Sequence, residues 1–262
     1  LISKVAMWTI GSFLLLFLAF PLLVLINVSF TELNYLSFPG EGFTLKWYQK
    51  VFEDASYIDS FLYSFKLSGV ATICAILIGI PASYALARNN FKGKGFVMNL
   101  ISSPLLLPQI FLGLALLQFF YYFTNSPQSF LALVVAHIII TLPYVVRTCV
   151  NSFIGISPYI EEAGRDLGAG QWKTFFFVTL PLMKSSIVAA TLFSFAVSWI
   201  NVEVTIFLTS ADQMALPVKM FNYVQYSIDP MIAAVSAITI YIAFILILII
   251  DMLVGIENIA SK

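Results

Sequence analysis

The sequence predicts an all-α integral membrane protein of six transmembrane helices, with one long polar loop between the fourth and the fifth. Three observations carry that expectation. The 262 residues are 60% hydrophobic and 16% aromatic but only 10% charged, with a mean hydropathy of +0.96. A soluble domain carries roughly 25% charged residues, so this chain cannot cover a water-facing surface with charge. Second, six stretches reach the about 20 apolar residues that cross about 30 Å of hydrocarbon. Third, the basic residues fall mostly on alternate loops. Together these exclude a disordered chain, a nucleic-acid binder and an ordinary soluble enzyme. Lys plus Arg and Asp plus Glu are both 13, so no net charge draws the chain to nucleic acid or anionic lipid. Membrane lipid is its solvent.

The first stretch runs from about Met7 to Val28. It is too long for a signal-peptide core and no small-residue cleavage site follows it, so it reads as a retained helix. A polar loop covers Phe30 to Ser60. The second span runs from about Phe61 to Ala87 and is followed by the short basic loop RNNFKGKGF. The third runs from Val97 to Phe123. Its Pro104 and Pro108 free backbone carbonyls and predict a kink. A tight hairpin around TNSPQS leads to the fourth span, Phe130 to Asn151. The loop 152–184 precedes the fifth span, Ser185 to Leu208, and the last runs from Met231 to Val254. No internal repeat appears, so an inverted-repeat secondary transporter gains no support. The expectation is a single transmembrane domain over residues 1–262.

Six spans put both termini on one side, and the basic residues choose it. Lys4, Arg88, Lys92, Lys94, Arg147, Arg165, Lys173, Lys184 and Lys262 share the terminal side, against Lys46, Lys50 and Lys219 opposite. The positive-inside rule then places both termini in the cytoplasm. The acids Glu32, Glu41, Glu53, Asp54 and Asp59 fall in the outer loop, which that rule permits. Cys74 and Cys149 sit in apolar runs without a C-x-x-C or a nearby histidine, and read as small buried hydrophobes rather than a disulfide or zinc site.

The loop 152–184 is long for a compact membrane protein, which suggests a docking surface. Ser157 and Pro158 are a helix start signal. Glu161 and Glu162 fall in the first turn, where the helix dipole favours carboxylates. Gly168 and Gly170 can end the helix. A second short helix, Gln171 to Phe177, is expected next, before Leu180-Pro181 leads to the fifth span.

One string in this loop carries a resemblance. Glu162-Ala163-Gly164, then Gly168, then Val178-x-Leu180-Pro181 resembles the EAA loop of ABC importer permeases, whose pattern is E-A-A, three residues, G, nine residues, I, one residue, L-P. The spacing matches throughout; Gly164 replaces the second alanine and Val178 the isoleucine. The six spans, GFTLKWY in the outer loop, the span end YALAR and Leu216-Pro217 are most similar to the second permease of spermidine/putrescine-type importers. The resemblance implies a type I importer permease of the bacterial inner (plasma) membrane. It implies two ATPase subunits, a second and different permease subunit, and an extracytoplasmic substrate-binding protein as partners. It also implies that Glu161, Glu162, Ala163, Gly164, Asp166, Leu167 and Gly168 couple to the ATPase. Glu162 is then the polar anchor and Leu167 the apolar one, with Arg165 and Asp166 alternatively a solvated charge pair. No G-x-x-x-x-G-K-[ST] occurs in the sequence, so ATP and Mg are expected on the partner ATPase, and this chain binds no cofactor.

Polar residues inside spans are the remaining candidates, because they are expensive in lipid and tend to face a cavity or a partner. Ser194, Ser198 and Asn201 share one face of the fifth span by i, i+4 and i+3 spacing and are expected to line the substrate pathway. Glu203 lies about 200° round the axis from Asn201; it is a further pathway candidate, with contact to a partner permease or the outer mouth, or a snorkelling carboxylate near the external end, as alternatives. Gln109 beside Pro108 is a candidate gate or substrate contact. Polyamine importers carry an acidic pair near the positions of Ile200 and Asn201. This chain lacks it and has Glu203 nearby, which leaves another organic solute, such as an aminoethylphosphonate, opine or amino-acid relative, as the alternative to a polyamine. An ion-driven secondary transporter is the alternative class. Lys66 is expected to snorkel, and His137, the only histidine, to be hydrogen-bonded within the bundle.

Overall fold

The computed structural model describes the backbone of residues 4–254 and, within them, the side chains of all but 5, 246, 247 and 249–254. Lys262, expected on the basic face, and the side chain of Asp251 lie outside the described residues. Every regular element described is helical. Helix α1 (Lys4–Ser29) is apolar all round and contains Pro21. Its 26 residues span about 39 Å at 1.5 Å per residue. Then come α2 (Lys46–Glu53), α3 (Ala55–Arg88), α4 (Lys94–Ser102), α5 (Gln109–Thr124) and α6 (Phe130–Gly155). The loop and beyond hold α7 (Pro158–Asp166), α8 (Gln171–Thr174), α9 (Leu180–Leu182), α10 (Lys184–Ile200), α11 (Thr205–Leu208), α12 (Leu216–Tyr226) and α13 (Met231–Val254).

Three helices, α1, α3 and α6, are each long and apolar enough to cross a membrane alone. Two bent pairs bring the number to as many as five. The expected sixth span coincides with α13, which is 24 residues long and rises about 36 Å.

Three expected elements need correction. The third span is interrupted, not merely kinked. Lys94–Leu105 and Gln109–Thr124 meet at 101°, because Pro108 denies the backbone an N–H and holds extended ψ (123°) before α5. The fifth span does not run to Leu208. It stops at Ile200, and Asn201 turns the chain out of the helix with ψ 119°. The short helix expected from Gln171 to Phe177 instead continues through a π-turn (Phe175–Thr179) into α9. Gln171–Leu182 then meets α10 at 73°. A π-turn admits one extra residue per turn and re-aims the side chains after it.

The described residues group into two units, 4–59 with 220–253, and 60–219. In the first, the loop after α1 is stapled to itself. Glu32 N donates to Glu41 O at 2.8 Å and Thr44 N to Phe30 O at 2.8 Å. Trp47 is 2% exposed and its indole N–H donates to Thr31 O at 2.9 Å, while Lys46 and Lys50 place their ammonium groups 4.8 and 4.6 Å from its ring. Tyr223 donates to the Asp229 carboxylate at 2.8 Å.

In the second unit α6 is the central helix, started by Ser129, whose hydroxyl accepts from Ala132 N. Two apolar clusters lie along it. One gathers Leu67, Phe120, Leu133, Ile140, Val204 and Leu208. The other gathers Ala75, Ile80, Val145, Cys149, Phe153, Met183 and Ala190. Cys149 is thus packed as a small hydrophobe; Cys74 is half-buried. Lys66 is exposed with its ammonium 4.9 Å from the Phe130 ring, near the start of α6.

Candidate functional site

Two polar constellations stand out, both in the second unit. The first is α7 and its supports. Ser157 takes the cap position without a side-chain bond, and Pro158 opens the helix. Its end follows a Schellman pattern. Gly168 N donates to Arg165 O (2.9 Å) and Ala169 N to Gly164 O (3.1 Å). Gly168 sits at φ +88°, a region that costs a side-chain-bearing residue roughly 1–2 kcal/mol. Gly164 is under no such demand, since an added Cβ would meet Thr174 and Val178 at ordinary contact, 3.5 Å. The departure from the E-A-A pattern at this position is therefore sterically neutral.

The two adjacent glutamates separate. Consecutive residues on a helix point about 100° apart, so only one can face inward. Glu161 does, and is 3% exposed. Its Oε1 accepts from Arg88 Nε (3.0 Å) and Nη2 (2.8 Å), and its Oε2 from the Tyr84 hydroxyl (3.1 Å). Arg88 Nη2 also donates to Ile156 O at 3.0 Å. Arg165 stands 3.8 Å from Glu161 Oε2. Glu162, Ala163, Asp166 and Gly168 are exposed, and Leu167 is 90% exposed, an apolar side chain left uncovered among the described residues. An open cleft of about 810 Å³ lies beneath, lined among others by Tyr84, Arg88, Glu161, Trp172 and Phe176.

The second constellation surrounds the end of α10. Asn201 terminates the helix, accepts at Oδ1 from Val204 N (3.0 Å) and donates from Nδ2 to Gln109 Oε1. Thr205 donates to Asn201 O at 2.7 Å. His137 is buried between Ser198 (Nδ1, 2.7 Å) and Thr205 (Nε2, 3.1 Å). Thr205 spends its single proton on the Asn201 carbonyl and Ser198 spends its own on Ser68, so both hydroxyls face the ring as acceptors and a neutral imidazole donates its one N–H to one of them. The bond from Ser198 to Ser68 measures 3.1 Å. Ser194 and Ser198 do occupy one helical face, and both are buried among this chain's own helices. Asn201 and Gln109 are brought together; Glu203 is exposed in the turn after Asn201. That turn lies against α5 at Gly113, where an added Cβ would meet Glu203 O and Val204 Cα, each at 3.0 Å.

Sequence reasoning missed the partners more than the sites. Arg88 entered as a marker of sidedness and as the last residue of YALAR, not as a partner of Glu161. Tyr84 and Arg88 stand at i and i+4, so they share a face at the end of α3, and that face receives Glu161. His137 was expected to be bonded in the bundle, without Ser198 and Thr205 being named.

An apolar helical bundle that holds a short, largely exposed helix by one buried ion pair is a multi-pass membrane protein of the permease class. Comparison with known proteins makes this specific. Residues 75–256 match the model of the binding-protein-dependent transport system inner membrane component family. The chain belongs to that family, and is an inner-membrane permease of the ABC importer type. It is 28% identical to the spermidine/putrescine transport system permease protein PotC of Escherichia coli over 232 residues, 88% of this chain and 87% of that one. It is 30% identical to the molybdate/tungstate transport system permease protein WtpB of Pyrococcus furiosus over 187 residues, 71% of this chain and 70% of that one. It is 27% identical to the putrescine transport system permease protein PotI of Escherichia coli over 228 residues, 85% and 81% of the two chains. In fold it is similar to a bacterial ABC transporter involved in the import of the acidic polysaccharide alginate, with a TM-score of 0.70 at 15% identity and 96% of each chain covered.

Proposed function

We propose that this permease serves an ATP-driven importer of a small cationic organic solute of the polyamine type. Its loop 152–184 and both termini face the cytoplasm. Two ATPase subunits hold ATP and Mg; one docks on α7 here and the other on a second, different permease. A loaded extracytoplasmic binding protein delivers the solute. Closure of the ATPases draws the two docking helices together and shifts the spans from inward-facing to outward-facing.

The carrying observation is the division of labour on α7. Glu161 is drawn inside by Arg88, while Glu162 and Leu167 are left outside as a carboxylate and an apolar knob. A docking helix needs both a fixed root and a free face. Ala163, Gly164, Asp166 and Gly168 complete that face.

The relatives' names include both cationic and oxyanionic solutes, so the names do not choose. Glu203 favours the cation. It is an exposed carboxylate two residues from Asn201, which bonds Gln109, and a carboxylate repels molybdate-like anions. Gln109, Asn201 and Glu203 are the pathway residues of this proposal, with Ser194 and Ser198 supporting them from behind.

Glu162→Lys and Gly168→Asp are expected to abolish co-purification of the ATPase and uptake together; unchanged co-purification and uptake in both would remove the docking role. Glu203→Gln is expected to lower uptake of the amine presented by the binding protein, with ATPase co-purification intact. Full uptake in that variant would remove the cation assignment.

A further inference from the structure

Helices α3 and α10 run antiparallel in the second unit. Ser68 bonds Ser198, and Ala75 and Ala190 belong to one packed cluster, so rising numbers on α3 meet falling numbers on α10. Between these two levels lie Thr72, four residues after Ser68, and Ser194, four residues before Ser198. Each lies one turn, about 6 Å, along its helix from the bonded serine pair and on the same face. The two therefore fall at the same level of these helices.

Both are deeply buried. Thr72 is 3% exposed and Ser194 0%. Among the described residues neither hydroxyl has a hydrogen-bond partner, including the other. Elsewhere in the same unit, helical hydroxyls are satisfied by the carbonyl one turn back: Ser83 donates to Gly79 O at 2.6 Å, Thr141 to His137 O at 2.7 Å and Thr191 to Ile187 O at 2.8 Å. Thr72 and Ser194 do not use that route. Two unmade hydroxyl bonds at one level of an apolar interface are costly.

We infer that Thr72 and Ser194 together bind a buried water between α3 and α10. A bridging water spans a separation that a direct bond cannot, and donates to one hydroxyl while accepting from the other. Ala71, Ala75 and Ala190, all fully buried, keep the neighbouring levels of these helices slender. The water continues the chain of polar contacts that begins at Gln109 and Asn201 and passes through Thr205, His137, Ser198 and Ser68. The inference rests on packing within this chain and is independent of the transported solute.

The test is a double-mutant cycle on the assembled transporter in nanodiscs, read by melting temperature, with Thr72→Val and Ser194→Ala. If a water joins the two hydroxyls, each single variant melts lower, and the double variant melts no lower than the worse single. If the hydroxyls stand alone, each substitution relieves an unmade bond and the melting temperature stays or rises, which overturns the inference. A density map of the same particle that resolves waters decides between bridge and direct bond. A peak within hydrogen-bond distance of both Thr72 Oγ1 and Ser194 Oγ is the expected result; no peak, or the two hydroxyls bonded to each other, overturns it.

Discussion

Arg88, the last residue of α3, and Glu161, on the loop helix α7, form a buried ion pair at 2.8 Å although 73 residues separate them in sequence. Their side chains are 13% and 4% exposed. A rigid root for α7 follows from this pair, since Tyr84 and the Ile156 carbonyl complete the same set of bonds. Removing one partner of a buried pair costs about 3–5 kcal/mol, because the other charge is stranded; removing both is often far cheaper. Arg88→Met is therefore expected to melt well below the parent, and Arg88→Met with Glu161→Met above the single variant. Transport should fail in both, since α7 has lost its root. Melting curves with uptake assays check this. A double variant less stable than Arg88→Met would show that the pair is not the coupling.

How far this site was legible depends on the length scale of each signal. The start of α7 at Pro158 and its end at Gly168 could be read, because both are single-residue backbone constraints. Which glutamate turns inward could not, because that is decided by Tyr84 and Arg88 on another helix. The same contrast explains the fifth span. Residues 201–208 are largely apolar and contain neither Gly nor Pro, so hydropathy carries the helix through them. What ends it is tertiary and cap chemistry: the Asn201 side chain takes the Val204 N–H and is itself held by Gln109. Asn201 three residues ahead of Val204 has the spacing of a helix cap. That was the available signal, and it was outweighed by the apolar run.

Gly113 sets how closely the turn after Asn201 approaches α5. A Cβ there would stand 2.7 Å from Phe207 Cδ2 and 3.0 Å from both Glu203 O and Val204 Cα. The aromatic edge can move but the backbone cannot. Overpacking of this kind costs typically about 1–3 kcal/mol. Gly113→Val is expected to lower the melting temperature and displace Glu203, cutting uptake. Gly155→Ala, where nothing lies within 4 Å, is the control and should retain uptake. Normal uptake in Gly113→Val would show that the position of the turn is not critical.

Tyr223 gives the segment before α13 a pH limit. Burial, first, and its bond to the Asp229 carboxylate raise the phenol above its ordinary value. The folded state thus holds the proton more tightly than the unfolded chain. The stabilisation is complete below the unfolded value of about 10 and is lost as pH rises beyond it toward the raised value. Tyr223→Phe is expected to lower stability at neutral pH by removing the bond at 2.8 Å, and to flatten part of the alkaline decline. Melting temperature against pH from 7 upward reads both effects; an alkaline decline identical to the parent's would assign it elsewhere.

His137 joins three parts of the second unit: its own helix α6, Ser198 on α10 and Thr205 beyond the break. Because Thr205 already donates to Asn201 O, its bond to the ring requires the N–H at Nε2. This makes a prediction about side-chain shape rather than charge. Glutamine can place an amide N–H near the Nε2 position, whereas asparagine is one methylene shorter and leucine offers no polar atom. Leaving a buried hydroxyl unsatisfied costs about 1–3 kcal/mol. His137→Gln is therefore expected to retain more thermal stability and uptake than His137→Asn, and His137→Leu to retain least. If leucine matched glutamine, the network would contribute packing alone, and the broken fifth span would be held by Asn201 and Gln109 without help from the histidine.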